Sequence, residues 1–122
     1  MAFTILLILA GLMGAGGVVI AAAGGHAAPH AGLAGAAYLL LFHATAILGG
    51  AALTKQGLLW RPLALAALIA WVVGATLFAG DVSARAFGHR LFPMAAPTGG
   101  TILIAAWLAL AIAALAGAFQ RG

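Results

Sequence analysis

The chain has 122 residues, 66% of them hydrophobic and 5% charged, with a net charge of +4 and no cysteine. A soluble globular domain carries about 25% charged residues, so this composition excludes a fold solvated by water on all sides and points to lipid as the solvent. Lack of cysteine excludes disulfides, thiolate catalysis, iron–sulfur clusters and Cys-ligated zinc.

A helix that crosses a bilayer needs roughly 20 mostly apolar residues, and four such segments fill the sequence. The pattern predicts an all-α polytopic membrane protein: one domain of four transmembrane helices in a compact bundle. The first span is expected at about residues 2–23, ended by Gly24-Gly25-His26 and by Pro29, which cannot continue a helix. It lacks a basic leader and is too long for a signal peptide, so it reads as a retained helix. Cleavage after the small residues near Ala23 is the alternative.

The second span is expected at about 32–53, ended by Lys55 and Gln56-Gly57. The third, at about 58–80, has Arg61-Pro62 where a first helical turn tolerates proline. A polar stretch from Asp81 to Pro97 precedes the fourth, at about 98–118. No segment alternates with period two, which excludes a β-barrel.

Lys55, Arg61, Arg85, Arg90 and Arg121 stand singly at the ends of apolar runs. Without a basic cluster or an aromatic platform they read as bilayer anchors and not as nucleic-acid contacts. With four spans, both termini and the middle connection share one side, which carries Lys55, Arg61 and Arg121 against Arg85 and Arg90 on the other. By the positive-inside rule that side is expected to be cytoplasmic.

In lipid, helices associate through close packing and interhelical hydrogen bonds, and each helix has small residues suited to this. The first has Ala10, Gly14, Gly17 and Ala21; the third, Ala66, Ala70 and Gly74; the fourth, Ala105, Ala109, Ala113 and Gly117.

His43 is the most informative polar residue. It falls near the middle of the second span, on the face of Ala36, Leu39, Ala46 and Gly50. A midplane ionisable group is expensive and faces the bundle interior. The functional reading makes it a proton relay, a haem ligand or a hydrogen-bond donor to a quinone. The structural reading, which is preferred, is a neutral imidazole bonded to Thr45, Thr76, Tyr38 or a backbone carbonyl.

His26, His30 and His89 share one side and could approach a metal, but no ligand pair lies within one helix, so no metal site is assigned. Asp81 is the only acid. At the end of the third span it opposes the helix dipole unless paired, and Arg85 is the expected partner in a local ion pair. Pro97 and Thr98-Gly99-Gly100-Thr101 open the fourth helix. Free amides there can bind an anion, although tight loop packing over the bundle is the preferred use of the glycines. A phosphate-binding loop would need a lysine that is missing.

Several strings taken together resemble a known family: Gly24-Gly25-His26, the run FHATAIL from Phe42 to Leu48, the run GATLFAG from Gly74 to Gly80, and Pro97-Thr98-Gly99-Gly100 followed by Trp107. In this order and spacing the chain resembles the small bacterial inner-membrane proteins grouped as domain of unknown function 423, whose eukaryotic relatives are called transmembrane protein 256. The resemblance covers nearly the whole chain and marks Gly24, His26, His43, Gly80, Pro97, Gly99, Gly100 and Trp107. It departs from the family where serines and a tyrosine usually surround the third-helix glycine, here Ala79, Asp81 and Ser83. The tyrosine usually found just before the second-helix histidine is also displaced, with Leu39 at its place and Tyr38 beside it. The resemblance implies a four-helix fold in the bacterial inner membrane but no activity.

With no complete catalytic or cofactor motif, the expectation is a non-enzymatic accessory or structural subunit that holds no cofactor. It would contact the lipid bilayer and pack against a membrane-protein partner or a second copy of itself. The alternatives are a small oligomeric transporter or channel with His43 in its path, and a haem- or quinone-binding redox protein.

Overall fold

The computed structural model describes residues 1–26 and 32–122. Pro29 and His30, assigned from sequence to the first connection, lie outside the described residues. The described residues form four α-helices: α1 (Ala2–His26), α2 (Leu33–Lys55), α3 (Arg61–Ala86) and α4 (Ala95–Arg121). They have 25, 23, 26 and 27 residues. At 1.5 Å per residue each is roughly 35–40 Å long, enough to cross the ~30 Å hydrocarbon core. All four are apolar enough to do so, and the chain is an integral membrane protein with no strand among its described residues.

The helices pack compactly, in an order that follows the chain. α1 lies along α2, α2 along α3, and α3 along α4, while α1 and α3 meet only briefly. Among the described residues α4 makes no backbone contact with α1 or α2. The middle helices therefore hold most of the core, with Leu33, Ala36, Ala37, Ile47, Leu68 and Trp71 all but sealed. Ile8, Leu12 and Val19 on α1, and Ile104, Leu108 and Ile112 on α4, point outward. Such side chains need no cover in lipid, whose tails are as apolar as leucine.

Two helix ends are fixed by the same device. Gly57 (φ 78°) follows α2 and Gly88 (φ 83°) follows α3, both in the left-handed region that a side chain disfavours. After α2, the Gly57 and Leu58 amides donate to the Thr54 and Leu53 carbonyls; after α3, the Gly88 and His89 amides donate to Arg85 and Ala84. Both are Schellman motifs, which satisfy the last carbonyls of a helix.

Three expected boundaries change. Gly24, Gly25 and His26 are helical, with His26 Nδ1 bonded to the Ala22 carbonyl at 3.0 Å. α3 begins at Arg61, not 58, and passes through Gly80 and Asp81 to Ala86. Gly80 is thus not a turn: Leu91 of the following connection packs over it, and an added Cβ would come within 3.4 Å of that side chain. α4 begins at Ala95, so Pro97 and the Thr98–Thr101 string lie inside its first turns. There Gly99 serves a helix crossing: a Cβ on it would meet the Gly74 carbonyl oxygen at 2.7 Å and the Phe78 nitrogen at 2.8 Å.

The expected small-residue stripes divide in the same way. Gly17 is buried where α1 crosses α2, but Gly14 has nothing within 4 Å of the place a methyl would take. Gly74 and Gly117 are buried contacts, whereas Ala66 and Ala105 are exposed.

Candidate functional site

Two buried polar residues organise the molecule at different depths. The first is His43, 5% exposed. It lies at the middle of α2, and Trp71 and Trp107 lie near the middles of α3 and α4. Helices of similar length packed side by side bring these three positions to one level.

His43 Nδ1 is 2.7 Å from the Leu39 carbonyl oxygen of its own helix. Its Nε2 is 3.0 Å from Trp107 Nε1. A carbonyl only accepts and an indole N–H only donates, so the proton must sit on Nδ1 while Nε2 accepts. This is a neutral imidazole with both nitrogens used. The bond to Trp107 crosses from α2 to α4, helices whose backbones do not come together.

Trp71 fills the space between them, with its ring centroid 4.3 Å from that of Trp107 and 6.0 Å from His43. The histidine ring stands at 72° to Trp71 and 65° to Trp107, the steep crossing that aromatic pairs favour over a face-to-face sandwich. Trp71 is 1% exposed, and its Nε1 finds no acceptor among the described residues. Trp107 is 46% exposed, so the layer ends at the lipid-facing surface.

Of the expected partners of His43, only the backbone carbonyl is used. Thr45 donates to the Phe42 carbonyl at 2.8 Å. Tyr38 is exposed and stacks on Phe42. Thr76 lines an apolar groove between α1 and α3. The cross-helix partner is Trp107, which the sequence marks only through the family resemblance and as a packing residue; no motif or spacing points to Trp71. One signal does exist: tryptophan usually gathers at membrane interfaces, so two at mid-span ask for a reason.

The second residue is Asp81, fully buried in the last turns of α3. Its Oδ1 accepts the Leu91 amide at 3.1 Å, and its Oδ2 accepts the Ala96 amide at 3.3 Å and Arg85 Nη2 at 2.9 Å. The expected pair with Arg85 is therefore one contact of three.

The expected opposition to the helix dipole does not arise, because α3 continues beyond Asp81 to Ala86. The carboxylate instead faces the positive end of α4. Met94, the residue before α4, has φ 67° and offers no side-chain cap. Asp81 supplies it from another helix. The Ala95 amide donates to Phe92, Ala96 to Asp81 and Thr98 to Met94, while Pro97 has no N–H. The first amides of α4 are thus satisfied, leaving nothing for an anion at the Thr98–Thr101 string.

The remaining candidates stay apart. No group of three or more His, Cys, Asp or Glu capable of holding a metal occurs among the described residues. His26 is bonded to its own helix and His89 is exposed; His30 lies outside the described residues. Comparison with protein-family models, curated proteins and solved structures finds no match to this chain.

Proposed function

We propose that the chain is a non-enzymatic accessory or structural subunit that packs within a larger membrane assembly. The observation that carries this reading is the state of His43. Its two ring nitrogens are both engaged within the chain, so neither has a lone pair or a proton to offer a haem iron, a quinone or a proton path. Asp81, the other buried ionisable side chain among the described residues, is likewise spent on three donors.

A partner is supported by glycines on the outer faces of α1 and α2. Gly11, Gly14, Gly35 and Gly49 are helical and have nothing within 4 Å of an added Cβ position. Each weakens its helix by about 1 kcal/mol relative to alanine without allowing any close approach among the described residues. In lipid, small surface residues let a neighbouring helix come close.

The resemblance to the domain of unknown function 423 and transmembrane protein 256 group supports a location in the bacterial inner membrane. Phe3, Lys55, Arg61 and Arg121 gather at one end of the bundle, and the positive-inside rule makes that end cytoplasmic.

Extraction from the native membrane in mild detergent tests the proposal. Co-purification of a second membrane protein, or of a defined homo-oligomer, at fixed stoichiometry is expected. A homogeneous monomer would overturn it, as would solute or proton flux through reconstituted protein that disappears in His43→Ala.

A further inference from the structure

The end that carries the α2–α3 connection concentrates positive charge with no acidic side chain to balance it. Phe3 stands in the first turn of α1, between the last residue of α2 and the first of α3. Lys55 Nζ is 5.8 Å from its ring centroid, and Arg61 Cζ is 5.1 Å from it. Two cations thus converge on one aromatic ring. The ring's face attracts each of them but leaves both charges uncompensated. Arg61 also marks the N-terminus of α3, where the helix dipole adds positive potential.

The chain offers no side-chain counter-ion. Its single acidic side chain, Asp81, is buried at the opposite end with Arg85. Arg121, the third cation at this end, is held by the carbonyls of Gly57 and Leu58 at 3.0 and 2.8 Å. Lys55 and Arg61 remain without a carboxylate.

An apolar groove begins at Ala2, the chain neighbour of Phe3. It runs between α1 and α3, encloses about 360 Å³, and is lined by Ala2, Ile5, Leu6 and Leu9 with Ile69 and Val73. The groove continues past Leu9 into a second one of about 320 Å³ farther along the same two helices. Phe3 and Arg61 thus stand at the ends of the two helices whose hydrocarbon-lined furrow runs on into the membrane.

We propose that Lys55 and Arg61, gathered at the Phe3 ring, bind the phosphate of an anionic phospholipid, with one acyl chain lying in the α1–α3 groove. Charge selects the headgroup, since phospholipid phosphates lie at the depth where spanning helices end. The groove selects an intact lipid over a soluble phosphate, because only a chain can fill it.

Native mass spectrometry of the full chain, loaded with phosphatidylglycerol or with phosphatidylcholine of the same chains, tests the site. Wild type is expected to retain one phosphatidylglycerol in preference to phosphatidylcholine. Each cation near an anionic surface is worth about a factor of five, so K55Q/R61Q should lower retention roughly twenty-five-fold. R90Q, which removes a charge from the opposite end, should leave retention unchanged. Neither inorganic phosphate nor glycerol 3-phosphate should displace the lipid. Equal retention by K55Q/R61Q and wild type would overturn the site, as would an equal loss in R90Q. Displacement by either soluble phosphate would overturn the lipid as its occupant.

Discussion

His43 and Asp81 are both buried and titratable, and each joins helices across the bundle, yet they do so in opposite states. At mid-depth, His43 is neutral and makes two hydrogen bonds, one of them within its own helix. Near the end of the bundle, Asp81 meets two backbone amides and a guanidinium. Depth accounts for the difference. A charge in the hydrocarbon centre has no water or headgroup to share its field, whereas Arg85, 47% exposed, connects Asp81 to the interface. The two sites are thus graded: neutral in the middle, paired and charged toward the rim.

Asp81→Ala breaks this grading at its most expensive point. It leaves the Leu91 and Ala96 amides without an acceptor and takes the cap from α4. No other single substitution at either site should lower the thermal midpoint as far, and hydrogen exchange at Leu91 and Ala96 should quicken. Asp81→Asn keeps an acceptor oxygen and should fall between Ala and wild type. A D81A protein that melts with wild type would show that the connection is held by apolar packing alone.

Gly99→Ala strikes the same α3–α4 seam one turn farther into the membrane. Alanine is the better helix former by about 1 kcal/mol, but its methyl would lie within 3 Å of two α3 backbone atoms, which cannot rotate away. Overpacking of this kind costs about 1–3 kcal/mol, so net destabilisation is expected. Gly14→Ala, with nothing near the new methyl, should stabilise the isolated protein. Chemical unfolding in mixed micelles reads both signs. A stabilised G99A would mean that the seam has slack at this crossing.

The mid-depth pair should be weaker. A double-mutant cycle of His43→Phe and Trp107→Phe is expected to give a coupling of about 0.5–1.5 kcal/mol, the range of hydrogen bonds in water and in membranes. Zero coupling would reduce the Trp107 contact to packing. A value above that of the Asp81 latch would reverse the order of the two sites.

The spans were legible because lipid burial needs only apolar length, and each predicted core overlaps its helix. The rim was not. Asp81 looked like a helix end because a lone acid after Gly80 interrupts an apolar run, while the actual stop, Gly88, sits in a polar stretch where one more glycine carries little signal. Placing Asp81 against α4 required knowing that residues 89–94 fold back, which no local pattern encodes. His43 was recognisable as interior from depth alone. Its partner was not, since Trp107 lies 64 residues away on a helix whose backbone stays apart from that of α2.

Arg85→Gln isolates the smallest contribution. If the latch were chiefly an ion pair, removing the guanidinium would approach the loss seen in D81A. The geometry argues otherwise. Two of the three contacts to the carboxylate are backbone amides held by the fold, and Arg85 is half in contact with the interface, where water and salt screen it. R85Q should therefore lower the thermal midpoint by a small fraction of the D81A effect. That fraction should shrink further as salt is raised, while the D81A loss stays nearly constant. An R85Q loss equal to that of D81A at every salt concentration would move the centre of the latch from the α4 amides to the arginine.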